Sequence, residues 1–239
     1  MAADHRDLLT TERLLREQWV LLRDWLDDLD DAAMDQPSVL DGWTVRELVA
    51  HLSRAMAALT KAQPAPAGTI PLSLGEYLGT YPERAQEIAD TTREIAREIG
   101  DDPLPALDRT AEDTFAQLTT LRDLAPDPVV QARRGPILLS EMVVSRLIEL
   151  VVHADDLARS VPGLAKNPVH SEALGAVSEA LLEIVVDRGG HSLEVNEPLL
   201  WTRLACGRQP YDVDELARAL QHRHTAEAVP DLGRMLPLL

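Results

Sequence analysis

The chain has little cysteine, few aromatic residues and no long apolar run, and each shortage excludes a class of protein. Cys206 is the single cysteine among 239 residues, so no intrachain disulfide forms and folding does not depend on an oxidising compartment. No apolar stretch approaches the roughly 18–20 residues that cross a bilayer. Residues 1–7 also lack the basic and apolar segments of a secretory signal. We therefore expect a cytoplasmic protein without a membrane partner.

Basic residues are scarce relative to acidic ones. The chain carries 23 Lys and Arg against 40 Asp and Glu, a formal net charge of −17. Nucleic-acid binding needs a basic surface that neutralises phosphates, so we expect no nucleic-acid partner. Aromatic residues make up only 3% of the chain, which predicts a core of Leu, Val, Ile and Ala. The sequence does not indicate the oligomeric state.

Apolar residues recur at helical spacing along most of the chain, which predicts a mainly α protein. The clearest helix start is Thr44-Val-Arg-Glu47, a capping box that an apolar stripe follows. Residues 63–71 and 126–136 are expected to be irregular, with a short extended piece at Val129-Val130. The other predicted elements are helices over 7–29, 44–59, 73–99, 106–122, 138–160 and 169–188, a strand over 191–196, and short helices over 198–206 and 213–221. An interruption of the 73–99 helix near Pro82 is left open.

These elements group into two predicted parts. Residues 1–162 are expected to form an up-down four-helix bundle, because several long amphipathic helices need a common core. Pro162-Gly163 closes the last of them, and the pattern then changes to shorter and more mixed elements. Residues 163–239 are therefore expected to form a small C-terminal α/β appendage, with a mostly helical one as the alternative.

The predicted helix over residues 138–160 is apolar nearly all round, which places it at the centre of the bundle. One polar stripe nevertheless runs along it, formed by Arg146, Glu149, His153 and Asp156. Buried charges are costly unless they are paired or bind a metal. Glu149 and His153 are four residues apart and point the same way. Asp156 is placed to orient an imidazole or hold a water, and Arg146 to pair with Glu149 or face an anionic substrate.

His51 lies at the edge of the apolar stripe that follows Thr44, where neighbouring alanines leave room for another group. Across the bundle from Glu149 and His153, it would complete a set of three metal ligands. Three protein ligands leave one coordination position open, as in catalytic zinc sites. Two simpler interpretations stay open at this point: His51 is an ordinary buried histidine, and Glu149 with His153 is a hydrogen-bonded pair.

Two segments together resemble the mycothiol-dependent maleylpyruvate isomerase family, which belongs to the DinB-like metal-binding four-helix bundles. They are Asp41-Gly-Trp-Thr-Val-Arg-Glu-Leu-Val-Ala-His51-Leu and Arg146-x-x-Glu149-x-x-x-His153-x-x-Asp156-Leu. Residues 156–162 and 197–208 are similar to C-terminal stretches of actinobacterial members. Some of those members carry a sterol-carrier-like domain, so the resemblance implies a reduced form of that domain here.

The resemblance also implies a cofactor set and further site residues. It implies Zn²⁺, or another divalent metal, with mycothiol or water at the open position and with three ligands: His51, Glu149 and His153. Arg84 and Arg208 match arginine positions of the family and are expected to hold anionic groups of the substrate or thiol. Arg146 is a further candidate for binding the cofactor, and Asp156 is a candidate catalytic residue beside the two arginines.

Three functions remain open on the sequence. The first is a zinc-dependent enzyme that uses mycothiol, as an isomerase or a thiol S-transferase, on an electrophilic or anionic small molecule. The second is a metal-dependent hydrolase in which Glu149 or Asp156 assists proton transfer to or from water. The third is a non-catalytic bundle that binds a small ligand or a partner through a buried polar network.

Overall fold

Helices dominate the computed structural model of the chain, which describes residues 7–79, 85–100, 102–189, 191–224 and 229–239. The chain divides into two units, Met1–His170 and Ser171–Leu239. The prediction of a mainly α protein with a small strand-containing part is confirmed, whereas the predicted domain boundary at residue 162 stays a prediction. None of the helices in the described ranges is both long and apolar enough to cross a membrane.

The first unit contains seven helices among its described residues. They are α1 (Leu8–Leu26), α2 (Asp31–Met34), α3 (Val45–Thr60), α4 (Leu74–Leu78), α5 (Ala85–Ile99), α6 (Leu104–Arg122) and α7 (Leu139–Ser160). The predicted helix over 73–99 is present as two described helices, on either side of the interruption left open near Pro82. Its first part, α4, is capped by Ser73 and ends before Gly79, and α5 begins at Ala85. The described structure does not include residues 80–84, and the candidate Arg84 falls among them.

α7 is the central helix of this unit, as its apolar sequence predicts. Of its 22 residues, 18 are buried, and it packs against α1 and α3. α3 in turn packs against α5 and α6. Ion pairs join α1 to α6 at both ends, Arg23 to Asp108 at 2.6 Å and Arg122 to Glu12 at 2.8 Å, so these two helices are antiparallel. The polar stripe of α7 therefore lies inside a helical bundle.

A small antiparallel sheet covers part of this bundle. Its order is β1 (Gln63–Pro64), β2 (Val129–Ala132) and β3 (Gly135–Leu138). The extended piece expected at Val129-Val130 is β2, but the prediction that residues 126–136 are otherwise irregular is wrong. β2 and β3 form a hairpin, in which the paired residues Val130 and Ile137 are fully buried and pack into the core.

The second unit contains α8 (Ser171–Gly189), β4 (Leu193–Val195), α9 (Pro198–Ala205), α10 (Val213–Ala219) and β5 (Leu220–His222). The strand predicted over 191–196 is present as β4. Its antiparallel partner, β5, was not expected, because residues 213–221 read as one helix. The indole of Trp201 is fully buried and donates to the Ser178 carbonyl at 2.9 Å, which ties α9 to α8.

Candidate metal centre

His51 is presented by a helix whose start is set locally. Thr44 accepts from the Glu47 backbone and Glu47 reaches back to the Thr44 backbone, so the predicted capping box is present. One turn further on, the His51 side chain is only 6% exposed. Its Nδ1 lies 3.2 Å from Oγ1 of Thr92 on α5, and the centre of its ring lies 5.3 Å from the centre of the Trp43 ring, the two rings being steeply inclined. These contacts direct Nε2 toward α7.

Glu149 and His153 complete the cluster from the opposite side. Oε2 of Glu149 lies 3.5 Å from Nε2 of His51 and 3.3 Å from Nε2 of His153. The two imidazole rings are 4.7 Å apart and nearly perpendicular. The Glu149 side chain is 11% exposed and that of His153 is 7% exposed. The structure thus brings together the three predicted ligands, with one donor atom from each within 4.8 Å of the others.

The spacing of these atoms fits a metal ion better than a set of direct hydrogen bonds. Zinc bonds of ~2.0–2.2 Å at a tetrahedral angle put two ligand atoms about 3.4 Å apart. An N–H···O hydrogen bond is normally shorter, at about 2.9–3.0 Å. The two separations from Glu149 Oε2 match the metal geometry. Two nitrogens and one carboxylate oxygen are also a donor set that zinc accepts.

Asp156 orients His153 from one turn further along α7. It is fully buried, and its Oδ2 lies 3.0 Å from Nδ1 of His153. A carboxylate only accepts, so the Nδ1 proton points at Asp156 and the Nε2 lone pair of the neutral ring faces Glu149. Nε2 of His153 and Oε2 of Glu149 then direct lone pairs at each other, so a proton or a metal cation is needed between them. Arg159 holds the other oxygen of Asp156 at 2.7 Å.

The protonation preferences of the cluster follow from burial and from these contacts. Burial lowers the pKa of His51 to about 4, so at neutral pH this ring is in the neutral form that binds metals. Burial opposes charge on Glu149 as well, but the neighbouring histidines hold the pKa of its carboxyl well below the usual range. Burial also disfavours the charged form of His153, yet the neighbouring carboxylates of Asp156 and Glu149 raise its pKa.

Arg146 is buried beside the cluster and contacts both α3 and α7. Its Nη1 donates to the carbonyl of Ala55 at 2.9 Å and its Nε to Ser145 Oγ at 3.2 Å. Its charge helps to lower the pKa of Glu149, after the larger effect of the two neighbouring histidines. Arg146 therefore links α7 to α3 and supplies positive charge beside the cluster of His51, Glu149 and His153.

Several residues of the site have no signal in the sequence that would have identified them. Thr92 lies in an ordinary amphipathic helix, and its contact with His51 depends on how α5 packs against α3. A cavity of about 510 Å³ opens on His51 and Glu149, and its wall includes Arg54, Arg133 and Arg134. Arg54 lies on a helix, at a position that the sequence does not mark as part of a site. Arg133 and Arg134 lie in a segment that the sequence predicts to be irregular.

The two remaining predicted site residues lie outside the described part of the first unit. Arg84 lies outside the described residues. Arg208 belongs to the second unit, just after α9, where its Nη1 donates to the Cys206 carbonyl at 3.0 Å. Their roles in binding substrate or thiol stay predictions.

The fold and the site define a class: a helical bundle that gathers two imidazoles and one carboxylate at a single point of its core, beside a cavity. The sequence profile of the mycothiol maleylpyruvate isomerase N-terminal domain matches residues 15–158. This match covers more than half of the chain. The chain therefore belongs to the mycothiol maleylpyruvate isomerase family.

Two solved structures are similar to the chain at low sequence identity. A crystal structure of the mycothiol-dependent maleylpyruvate isomerase has a TM-score of 0.48 and 20% identity, covering 80% of this chain and 77% of that chain. A histidine-to-alanine mutant of that enzyme has a TM-score of 0.39, with the same identity and coverage. No curated protein matches the chain.

Proposed function

We propose that the chain is a divalent-metal enzyme, with zinc as the metal, that uses mycothiol on an electrophilic or anionic small molecule. The observation that carries this proposal is the convergence of two imidazole Nε2 atoms on one carboxylate oxygen of Glu149. Family membership adds the thiol, because the family takes its name from mycothiol. The reaction is an isomerisation that releases the thiol again, or an S-transfer that leaves it on the product.

The residues present fit the metal in composition, spacing and orientation. His51, Glu149 and His153 would hold it and leave one position open toward the cavity. When bound there, zinc would lower the pKa of a thiol so that the nucleophilic thiolate is present at neutral pH.

The protein's own groups prepare this position. Thr92 and Asp156 each contact the Nδ1 atom of one imidazole, which leaves both Nε2 atoms for the metal. Arg146 adds a fixed positive charge beside Glu149. The burial of the cluster excludes bulk water, which strengthens the attraction between these charges and an anionic reactant.

Elemental analysis of the purified chain tests the metal. We expect about one equivalent of zinc per chain, as a single three-ligand site binds, and its loss in His51→Ala. His222→Ala is the matched control, because His222 lies on β5 of the second unit. A chain that binds no divalent metal, or one whose metal survives loss of His51, contradicts the proposal.

A thiol-consumption screen tests the reaction. The zinc-loaded chain is incubated with mycothiol and a panel of electrophiles, namely conjugated acids and epoxides, and both free thiol and products are followed. Isomerisation changes the electrophile without net thiol loss, whereas S-transfer consumes thiol in proportion to product. Hydrolysis of esters or amides without any thiol requirement would instead assign the chain to the metal-dependent hydrolases.

A further inference from the structure

A closed loop of residues 38–43, the Trp43 loop, leads into the helix that carries His51. The backbone N–H of Ser38 donates to the Trp43 carbonyl at 2.7 Å, and the N–H of Trp43 donates to the Leu40 carbonyl at 3.1 Å. Gly42 has a φ of +75°, a conformation that other residues rarely adopt. The backbone of the loop therefore fixes its own shape and the place of the Trp43 side chain.

The Trp43 side chain acts on the imidazole of His51. The two ring centres are 5.3 Å apart and the ring planes are inclined by 72°. Aromatic rings at this distance and inclination attract each other. His51 lines the cavity, whereas Trp43 is not among the described residues that line it. Trp43 therefore restrains His51 itself and does not belong to the wall that a bound molecule would meet.

The Trp43 loop is anchored to α7, the helix that carries Glu149 and His153. The backbone N–H of Val39 donates to Oγ of Ser160 at 2.9 Å. Oγ of Ser160 in turn donates to the Asp156 carbonyl at 2.7 Å, which orients the hydroxyl so that it can accept from Val39. Ser160 follows His153 by seven residues, or two helical turns, so both lie on the same side of α7. One hydrogen bond thus joins the loop beside His51 to the helix of the other two ligands.

We propose that the Trp43 loop positions the imidazole of His51 relative to Glu149 and His153, with Ser160 as the residue that anchors the loop to α7. The three ligand atoms come from two helices, so their separations depend on how α3 lies against α7. The loop contacts His51 on α3 through Trp43 and contacts α7 through Ser160. Its effect on metal affinity rests on the metal site of the proposed function, whereas its effect on the imidazole does not.

The anchor is suited to positioning rather than to holding the fold together. Val39 is 40% exposed, so water can replace Ser160 as the partner of its N–H. Loss of the Ser160 hydroxyl should therefore change the stability of the chain little. The same loss releases the loop, and with it the ring that restrains His51. A purely structural role predicts the opposite: a fall in stability without a specific effect on the cluster.

Zinc affinity, measured by competition with a chromophoric chelator, tests the anchor. Ser160→Ala should weaken zinc binding by about tenfold, at the lower end of what loss of a residue behind a metal ligand costs, with little change in the urea midpoint. Ser160→Thr keeps the hydroxyl and should restore most of the affinity. Ser178→Ala is the matched control, because this buried serine donates to the Gly175 carbonyl within its own helix, α8.

A double-variant cycle tests whether Ser160 acts through Trp43. Trp43→Leu should weaken zinc binding at least as much as Ser160→Ala, and Trp43→Phe, which keeps an aromatic ring beside His51, should weaken it less. If the anchor works through the loop, Ser160→Ala/Trp43→Leu should lose no more affinity than Trp43→Leu alone. Additive losses in the double variant would overturn the proposal.

Proton NMR of the metal-free chain tests the position of His51 without any metal. The ring resonances of His51, identified by their absence in His51→Ala, should shift in Ser160→Ala because the Trp43 ring moves. They should stay in place in Ser178→Ala. Unchanged His51 resonances in Ser160→Ala, or a lower urea midpoint with unchanged zinc affinity, would overturn the proposal. A chain that binds no zinc but whose His51 resonances shift in Ser160→Ala would support the positioning role and refute the proposed function.

Discussion

Replacing Asp156 by Asn should weaken metal binding through the tautomer of His153. In the native chain the two oxygens of Asp156 accept from two donors, His153 Nδ1 at 3.0 Å and Arg159 Nη2 at 2.7 Å. An Asn side chain has the same shape but only one oxygen. We expect Arg159 to take that oxygen, because its charge is permanent. The amide NH₂ then faces His153 Nδ1 and favours the tautomer that carries its proton on Nε2.

The size of this effect follows from the position of His153. A protonated Nε2 cannot coordinate a metal, so the proton must first move from Nε2 to Nδ1. The free energy of this tautomer change reduces the free energy of metal binding. Loss of a group that orients a metal-bound imidazole typically costs about 10- to 100-fold in metal affinity. This range corresponds to about 1.4–2.7 kcal/mol of binding free energy. At zinc concentrations well above the dissociation constant, the zinc-dependent rise in Tm should shrink by about 3–10 °C.

Competition with a chromophoric chelator measures the zinc affinity directly, and circular dichroism verifies that the variant is folded. Asp155→Asn is the matched control, because the neighbouring Asp155 is similarly buried and pairs with Arg159 Nε at 3.3 Å. Adding Arg159→Met to Asp156→Asn should recover part of the affinity, since the amide oxygen can then accept from His153. Wild-type affinity in Asp156→Asn, an equal loss in Asp155→Asn, or no recovery in the double variant refutes the reasoning.

Three further predictions concern the same unit. Thr92→Val should weaken zinc binding by about tenfold, and Thr92→Ser should leave it close to wild type, because the hydroxyl contacts His51 Nδ1. Equal losses of zinc affinity in both variants would assign Thr92 a packing role. Zinc affinity should fall as the pH is lowered through the raised pKa of His153, because the protonated ring cannot bind metal. Calorimetry in buffers of different ionisation enthalpy should detect the proton that zinc binding releases. No proton release near neutral pH would contradict this prediction. Gly135→Ala should lower the free energy of unfolding by about 1–3 kcal/mol, since Gly135 has a φ of +135° and an added Cβ would lie 2.8 Å from Leu72 Cδ1. An unchanged midpoint of urea unfolding would show that the β2–β3 turn relaxes freely.

The helices and their ends were largely predictable because their signals are local. The capping box at Thr44 and Glu47 is present as expected. The helix over residues 138–160 was placed to within a residue, at Leu139–Ser160. Errors arose where partners distant in sequence decide the conformation. The β2–β3 hairpin and β5 are short strands whose pairing gives no periodic pattern in so few residues.

The residues of the candidate site were likewise predictable where their arrangement is local, and not where it depends on packing between helices. A spacing of four residues on an apolar helix sufficed to bring Glu149 and His153 onto one face, and a further three residues added Asp156. The partnership with His51 came from the resemblance of its surrounding motif to a family, since periodicity alone describes an ordinary buried histidine. Thr92 could not be singled out at all, because its contact depends on the packing of α5 against α3.

By itself, then, the sequence determined the helices and the composition of the polar stripe on α7. Both follow from the 3.6-residue period of one chain segment and the high cost of burying unpaired charge. Only the tertiary structure decided that two Nε2 atoms meet one carboxylate oxygen. Packing also gathered arginines from α3, α7 and a hairpin turn around one cavity in an acidic chain. Such contacts depend on how the helices and the hairpin pack against one another, and the sequence of one segment alone does not determine that packing.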